Sequence, residues 1–239
     1  SFLPDYHPNN VYYDENGGPI MFDHTVLPQT DPLYSPRLGF NLDLEGDQTA
    51  QIRGGTGLFT GRFPFVWIGN QVANPFFSFY CVTHPDFKYP QVWRTNLGYD
   101  RKLGSGWTFT MDMIYTKDIN AMMVRNFGIK LPTEQLQGVG TRPIYGAGDR
   151  IYDLFGPQNA YVFTNTDVGY AFNAAVSLRK EYASNLGWTL AYNYLDSKDA
   201  ASIDAEISSD AYDRNPANVQ HSNTPFLAPS LYGNKHRIV

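Results

Sequence analysis

The sequence predicts an all-β protein whose antiparallel up-and-down strands form part of a large transmembrane β-barrel. Three observations lead there. Its strands alternate residue by residue between bulky apolar and polar side chains. They come as three hairpins of one design. Short turns close each hairpin on one side, and long loops join the hairpins on the other.

The clearest alternation is "GSGWTFTMDMIYTKD", Gly104 to Asp118. Trp107, Phe109, Met111, Met113 and Tyr115 occupy every second position, with Thr108, Thr110, Asp112 and Thr116 between them. Successive side chains of a strand point to opposite faces, so this stretch has one greasy face and one wet face. We read the five apolar residues as lipid-facing. About ten residues at roughly 3.3 Å each, tilted by about 40°, span close to the ~25 Å apolar band of an outer-membrane barrel.

The elements follow in order. Residues 1–36 are rich in Pro, Asn, Asp and Tyr without a sustained period, and read as an extracellular loop. The first hairpin occupies 37–60. Leu38, Phe40, Leu42 and Leu44 alternate with Gly39, Asn41 and Asp43, "EGDQ" turns the chain, and Ala50, Ile52, Thr56 and Leu58 alternate with Gln51, Arg53 and Gly55. The second occupies 91–127: Trp93, Thr95, Leu97 and Tyr99 face one way, Arg94, Asn96 and Asp100 the other, and "KLGSG" turns into the Trp107 strand. Its end, "DINAMMVRNFGI", is expected to project beyond the membrane as a strand standing in water. The third occupies 160–196, with Tyr170, Phe172, Ala174, Val176 and Leu178 on one face and Trp188, Leu190, Tyr192 and Tyr194 returning. The connections 61–90, 128–159 and 197–234 are long and read as extracellular loops. A β-sandwich spreads its loop lengths over both ends.

Composition agrees. The 239 residues are 42% hydrophobic, yet no eighteen apolar residues run together, which excludes a helical span. Mean hydropathy is −0.38, as alternation in a β-barrel allows. Aromatics reach 15% and charged residues only 17%, against roughly 25% in ordinary domains. Carbohydrate-binding β-proteins share that bias, so a soluble secreted β-protein binding glycans through surface aromatics is the alternative, and a β-rich hydrolase a third. A net charge of −5 without a basic cluster argues against nucleic acid. Cys81, the single cysteine, forms no intrachain disulfide. A start at Ser1 and a break at Val239, just as a new apolar run begins, read as a piece of something longer.

The stretch from Tyr34 to Pro75 resembles TonB-dependent outer-membrane transporters of the Oar-like, SusC-related kind abundant in Bacteroidetes. The resemblance rests on Ser35, Pro36, Arg37, Gly39, Phe40, Asn41 and Asp43, then on Gln51, Arg53, Gly54, Gly55, Gly57, Phe59, Thr60, Gly61, Arg62, Pro64, Val66, Trp67, Asn70 and Gln71. It continues at "LGYDRKL", "YTKDINA", "NTDVGYAFN" and the terminal "KHRIV", covering roughly two thirds of the chain in order. It implies a segment from the C-terminal half of a barrel of about 22 strands around a plug. A TonB box and a plug are not found in this sequence, and six strands with the start of a seventh cannot close a barrel. The expected partners are the remainder of the barrel and its plug, TonB acting through that plug, a surface lipoprotein or other outer-membrane subunits, and the lipid bilayer. The expected location is the outer membrane of a Gram-negative bacterium.

Residues that carry chemistry are few. Five scattered histidines show no ligand spacing, so neither metal nor cofactor is expected. "DLEGD" and "DENGG" are explained by turn chemistry before calcium. No nucleophile elbow, phosphate loop or other catalytic constellation is recognised, and no enzyme activity is expected. On the wet face Arg53, Arg94 and Asp112 are expected to line the lumen, with Arg53 available to a plug carboxylate. The loop aromatics Phe65, Trp67, Phe76, Phe77, Phe79, Tyr80, Tyr145 and Tyr152 are candidates for substrate contact or for packing among the loops.

Overall fold

In the computed structural model the described residues are 12–13, 19–20, 25–28, 31–62, 64–72, 80–150, 152–153, 156–157, 159–203, 205–214 and 221–239. The main elements are strands β1 (Arg37–Asp43) and β2 (Ala50–Thr60), helix α1 (Phe65–Val72), and strands β3 (Tyr80–Thr83), β4 (Gln91–Gly104) and β5 (Trp107–Asn126). There follow β6 (Ala160–Thr166), β7 (Tyr170–Glu181), β8 (Gly187–Asp199), helix α2 (Ser208–Asp213), β9 (Ala228–Pro229) and β10 (His236–Ile238). The chain is mostly antiparallel β. No described helix is long and apolar enough to cross a membrane.

One sheet organises the molecule in the order β9-β8-β7-β5-β4-β2-β1, every neighbour along this path antiparallel. β10 continues the β9 side by pairing with Tyr192–Tyr194 of β8. The sheet stays open: β1 forms one edge and β9 with β10 the other, and no closed barrel is formed by the described residues.

The hairpin turns are short because the residues in them suit tight reversals. Asp43 accepts hydrogen bonds from the backbone N–H of Gly46 at 3.0 Å and Gln48 at 2.9 Å, closing the β1–β2 turn over residues 44–49. Between β4 and β5, Gly104, Ser105 and Gly106 all adopt positive φ (83°, 48° and 76°), a conformation two glycines make accessible. Between β7 and β8, residues 182–186 are closed by Tyr182 N–H donating to the Leu186 carbonyl at 2.8 Å.

β5 has two halves. Its lower half pairs with β4 and β7, and its upper half, Ala121–Asn126, pairs with β6. A bulge lies between the β4 pairs Gln91↔Asn120 and Val92↔Asp118. On the other side β6 and β7 are separated at residues 167–169 without a change of register, since Thr166↔Ala121 and Tyr170↔Lys117 keep one alignment.

Above that level lies the core. Trp67, Cys81, Phe87, Met122, Val124, Ile129, Tyr161, Phe163, Ala211 and Tyr212 form one buried cluster. β6 pairs in parallel with β3, so the sheet turns into a lobe carrying α1 and α2. The expectation of a strand end standing in water is therefore corrected: Met122, Met123, Val124 and Asn126 are buried inside this lobe. The physical reason is that the loops carry enough apolar surface to cover the strand.

Candidate functional site

The sheet register assigns each side chain of the sheet to a face. Leu38 lies opposite Thr56, Thr56 opposite Thr95, Thr95 opposite Tyr115 and Tyr115 opposite Phe172, so all share one side. The same side holds Phe40, Leu42, Ile52, Leu58, Leu97, Tyr99, Phe109, Met111, Met113, Ala174, Val176, Leu178, Leu190, Tyr192 and Ile238. It is uncovered: Leu38 and Ile238 are each 74% exposed, and Phe40, Leu42, Leu97, Tyr115 and Leu190 are exposed as well. Six strands at about 4.8 Å spacing over some 25 Å of height make roughly 700 Å², beyond the few hundred Å² of apolar patch a soluble monomer ordinarily shows. Its internal hydroxyls satisfy each other, Thr56 Oγ1 and Thr95 Oγ1 lying 2.7 Å apart.

Both borders of this face carry aromatic and lysine side chains. At the short-turn end Trp107 and Trp188 meet edge to face at 5.3 Å, and Lys180 Nζ lies 5.1 Å from the Trp107 ring. At the long-loop end Trp93, Lys117, Tyr170 and Lys198 form one row across β4, β5, β7 and β8. From Trp107 to Lys117 is about 33 Å along the strand and about 25 Å in height at a 40° tilt. Asp196 enters this face at the upper border, where its carboxylate accepts the Tyr170 hydroxyl at 3.2 Å.

The opposite face is polar. Arg53 Nε donates to Asp100 Oδ2 at 2.9 Å, its Nη2 lies 2.8 Å from Asp112 Oδ1, and Thr110 Oγ1 donates to Asp100 Oδ1 at 2.8 Å. Gly98 makes this triad possible. It sits between Arg53 and Asp112 in the ladder, and a Cβ there would come within 2.6 Å of the Arg53 guanidinium and 2.8 Å of Asp112 Oδ1. The expected availability of Arg53 to a plug carboxylate is corrected accordingly: two acids of its own sheet already take its charge. Arg94 lies on the same face, its Nε donating to Thr116 Oγ1 at 3.1 Å.

The loop aromatics separate. Trp67 on α1 is fully buried and stacks on Phe163 at 5.8 Å, and Tyr80 is buried in β3. Both pack the lobe. Tyr145 is half-buried, with its hydroxyl 2.8 Å from His221 Nδ1 and accepting Ser222 N–H at 3.0 Å. Phe65 is 60% exposed at the start of α1. Phe76, Phe77 and Phe79, and the side chain of Tyr152, lie outside the described residues.

The lobe also holds a polar network that the sequence does not announce. Asn126 N–H donates to Asn223 Oδ1 and Asn223 Nδ2 returns a bond to the Asn126 carbonyl, each at 2.8 Å. Asn126 Oδ1 accepts from Gly128 N–H at 2.9 Å and Ala160 N–H at 3.1 Å, while its Nδ2 donates to Asn159. Burial pushes the Cys81 thiol up to about 12, with Ser208 Oγ 2.8 Å away opposing the shift. The Tyr161 and Tyr212 phenols are raised by the same desolvation. These groups are built to stay neutral and packed.

No family model matches the chain, and no curated protein matches it. Among solved structures, the outer membrane transporter YddB from Escherichia coli is similar, with a TM-score of 0.50 and 17% identity. The match covers 70% of this chain and 20% of that one, so this chain corresponds to about a fifth of that transporter's length. At this identity the likeness is one of fold.

Proposed function

We propose that this chain is barrel wall and extracellular loops of a TonB-dependent outer-membrane transporter, which moves a large substrate across the outer membrane of a Gram-negative bacterium. The observation that carries this reading is the uncovered apolar sheet face, bordered by aromatic and lysine rows ten residues or about 33 Å apart along β5, which at the ~40° tilt of barrel strands matches the ~25 Å apolar band. The fold-level likeness to an outer membrane transporter supports it. Water on that face would cost far more than lipid does. The resemblance of residues 34–75 to the Oar-like family supports the finer assignment.

In this reading the open edges at β1 and at β9 with β10 are met by further barrel strands, because unpaired backbone groups in hydrocarbon cost several kcal/mol each. The polar face borders the lumen and its plug, and the lobe stands outside the cell, where substrate or a surface lipoprotein arrives. TonB draws on the plug, and the energy comes from the inner membrane. The chain breaks no bonds and needs no cofactor.

Single cysteines in a Cys81→Ser background test the reading. With the protein in native outer membranes, a lipid-phase maleimide should label Met111→Cys and Met113→Cys, and a water-soluble one Asp112→Cys. A protein that stays in solution without detergent and labels equally from water at all three positions would discard the proposal in favour of a secreted glycan-binding protein.

A further inference from the structure

The polar face uses one device twice, an arginine side chain laid against a glycine of the neighbouring strand. Arg53 passes Gly98 and ends on Asp100 and Asp112. Arg37 on β1 lies against Gly57 of β2, where a Cβ would meet Arg37 Cγ at 2.9 Å. Its guanidinium carbon stops 4.3 Å from the centroid of the Phe59 ring. Arg94, paired with Gly57 from the β4 side, brings its guanidinium to 5.8 Å from the same centroid. The outcomes differ in charge. Arg53 is neutralised by two carboxylates, whereas among the described residues neither Arg37 nor Arg94 has an acid within ion-pair distance.

We infer that Arg37, Phe59 and Arg94 form a binding site for a ligand bearing two carboxylates, at the long-loop end of the polar face. A guanidinium resting on a ring spends its π face and keeps its in-plane N–H donors for a carboxylate. Arg94 commits Nε–H to Thr116 and retains its terminal amino edge. Because both cations lie close to one ring, the triangle inequality holds them within about 10 Å of each other. The two side chains start from strands on either side of Gly57, their Cα atoms two strand spacings or about 10 Å apart, so they offer two carboxylate seats rather than one, which a four- or five-carbon diacid can span. Two exposed cations held together repel one another, and a dianion relieves this while making two charge-assisted, fork-shaped contacts. Phe59 gives both guanidinium groups one ring to lie over. The inference rests on the polar face being open to water, and not on what covers the opposite face.

Calorimetric titration of the full-length protein in detergent, at constant ionic strength, tests the site with succinate as the probe and with succinamide and acetate as controls. Succinate should bind and succinamide should not, with acetate at least about tenfold weaker. Arg37→Gln and Arg94→Gln should each weaken succinate about tenfold or more. Arg179→Gln, remote from the ring and paired with Glu181, should leave affinity unchanged. Phe59→Leu, which keeps both charges, should weaken binding about threefold and decides the matter if either arginine variant fails to fold. Equal heats for succinate and succinamide, or unaltered affinity in Phe59→Leu and the arginine variants, would overturn the site. A failure of the membrane reading would show in the labelling experiment and leave this titration untouched.

Discussion

Gly98 and Asn126 show how single residues hold the two halves of the molecule. Adding a methyl group at Gly98 pushes the Arg53 guanidinium off Asp112. Both side chains are about a third exposed, so Gly98→Ala should cost only about 1 kcal/mol, read as a lower midpoint of thermal or detergent-induced unfolding. Asp112→Asn should cost a similar amount, and combining the two should add little, because both remove the same bridge. Asn126 is a different case. Its amide oxygen satisfies two buried backbone N–H groups, and Asn126→Ala strands both, for about 3 kcal/mol. That loss should fall on the lobe, as faster limited proteolysis within residues 128–159 while the hairpin turns stay resistant.

At the scale of elements, alternation decides the sheet and burial decides the lobe. Met113 and Asp112 are neighbours in β5 and face opposite sides. If hydrocarbon covers the Met113 side, Met113→Arg should cost about 2–4 kcal/mol of stability in bilayers, while Ser177→Arg on the polar face of β7 should cost well under 1 kcal/mol, both read from urea titrations of the reconstituted protein. The lobe has its own pH signature. The native Cys81 thiol titrates at about 12 against an ordinary 9.0, so the folded lobe keeps a proton that the unfolded chain releases. Its stability is therefore complete below about pH 9 and declines as pH rises toward 12, and the raised Tyr161 and Tyr212 phenols add to the loss in the same direction. Tryptophan fluorescence should report Trp67 exposure in that window, and Cys81 should resist a thiol reagent at pH 8 until denaturant is added. The β-rich fold was legible in the sequence because a period of two needs no distant partner to be seen. The lobe was not: α1 begins after Pro64, a helix-start cue hidden within a run of aromatics, and Trp67 and Cys81 find Phe163 and Ser208 about a hundred residues away. The Arg53 triad was missed for a related reason, since Asp100 and Asp112 reach Arg53 only once β2, β4 and β5 are in register.

For the whole molecule, the open edges set the behaviour. β1 presents an outer edge without a partner strand among the described residues, its Leu38, Phe40 and Leu42 are exposed, and such an edge recruits another strand or aggregates. Made alone in detergent, the chain should run as large heterogeneous species and unfold in SDS without heating. Supplied with the strands proposed to complete the wall, it should run as a compact band that shifts only on boiling. The pause at residues 167–169 bears on how such a protein changes over generations. Ladder alignment is identical above and below it, and Gly169 leaves room for the Asp118 carboxylate. Insertions, deletions or wholesale exchange of the outer portion can therefore accumulate on that side of the pause without any strand beneath slipping by a residue. A lineage can remodel the lobe while inheriting the sheet beneath it unaltered.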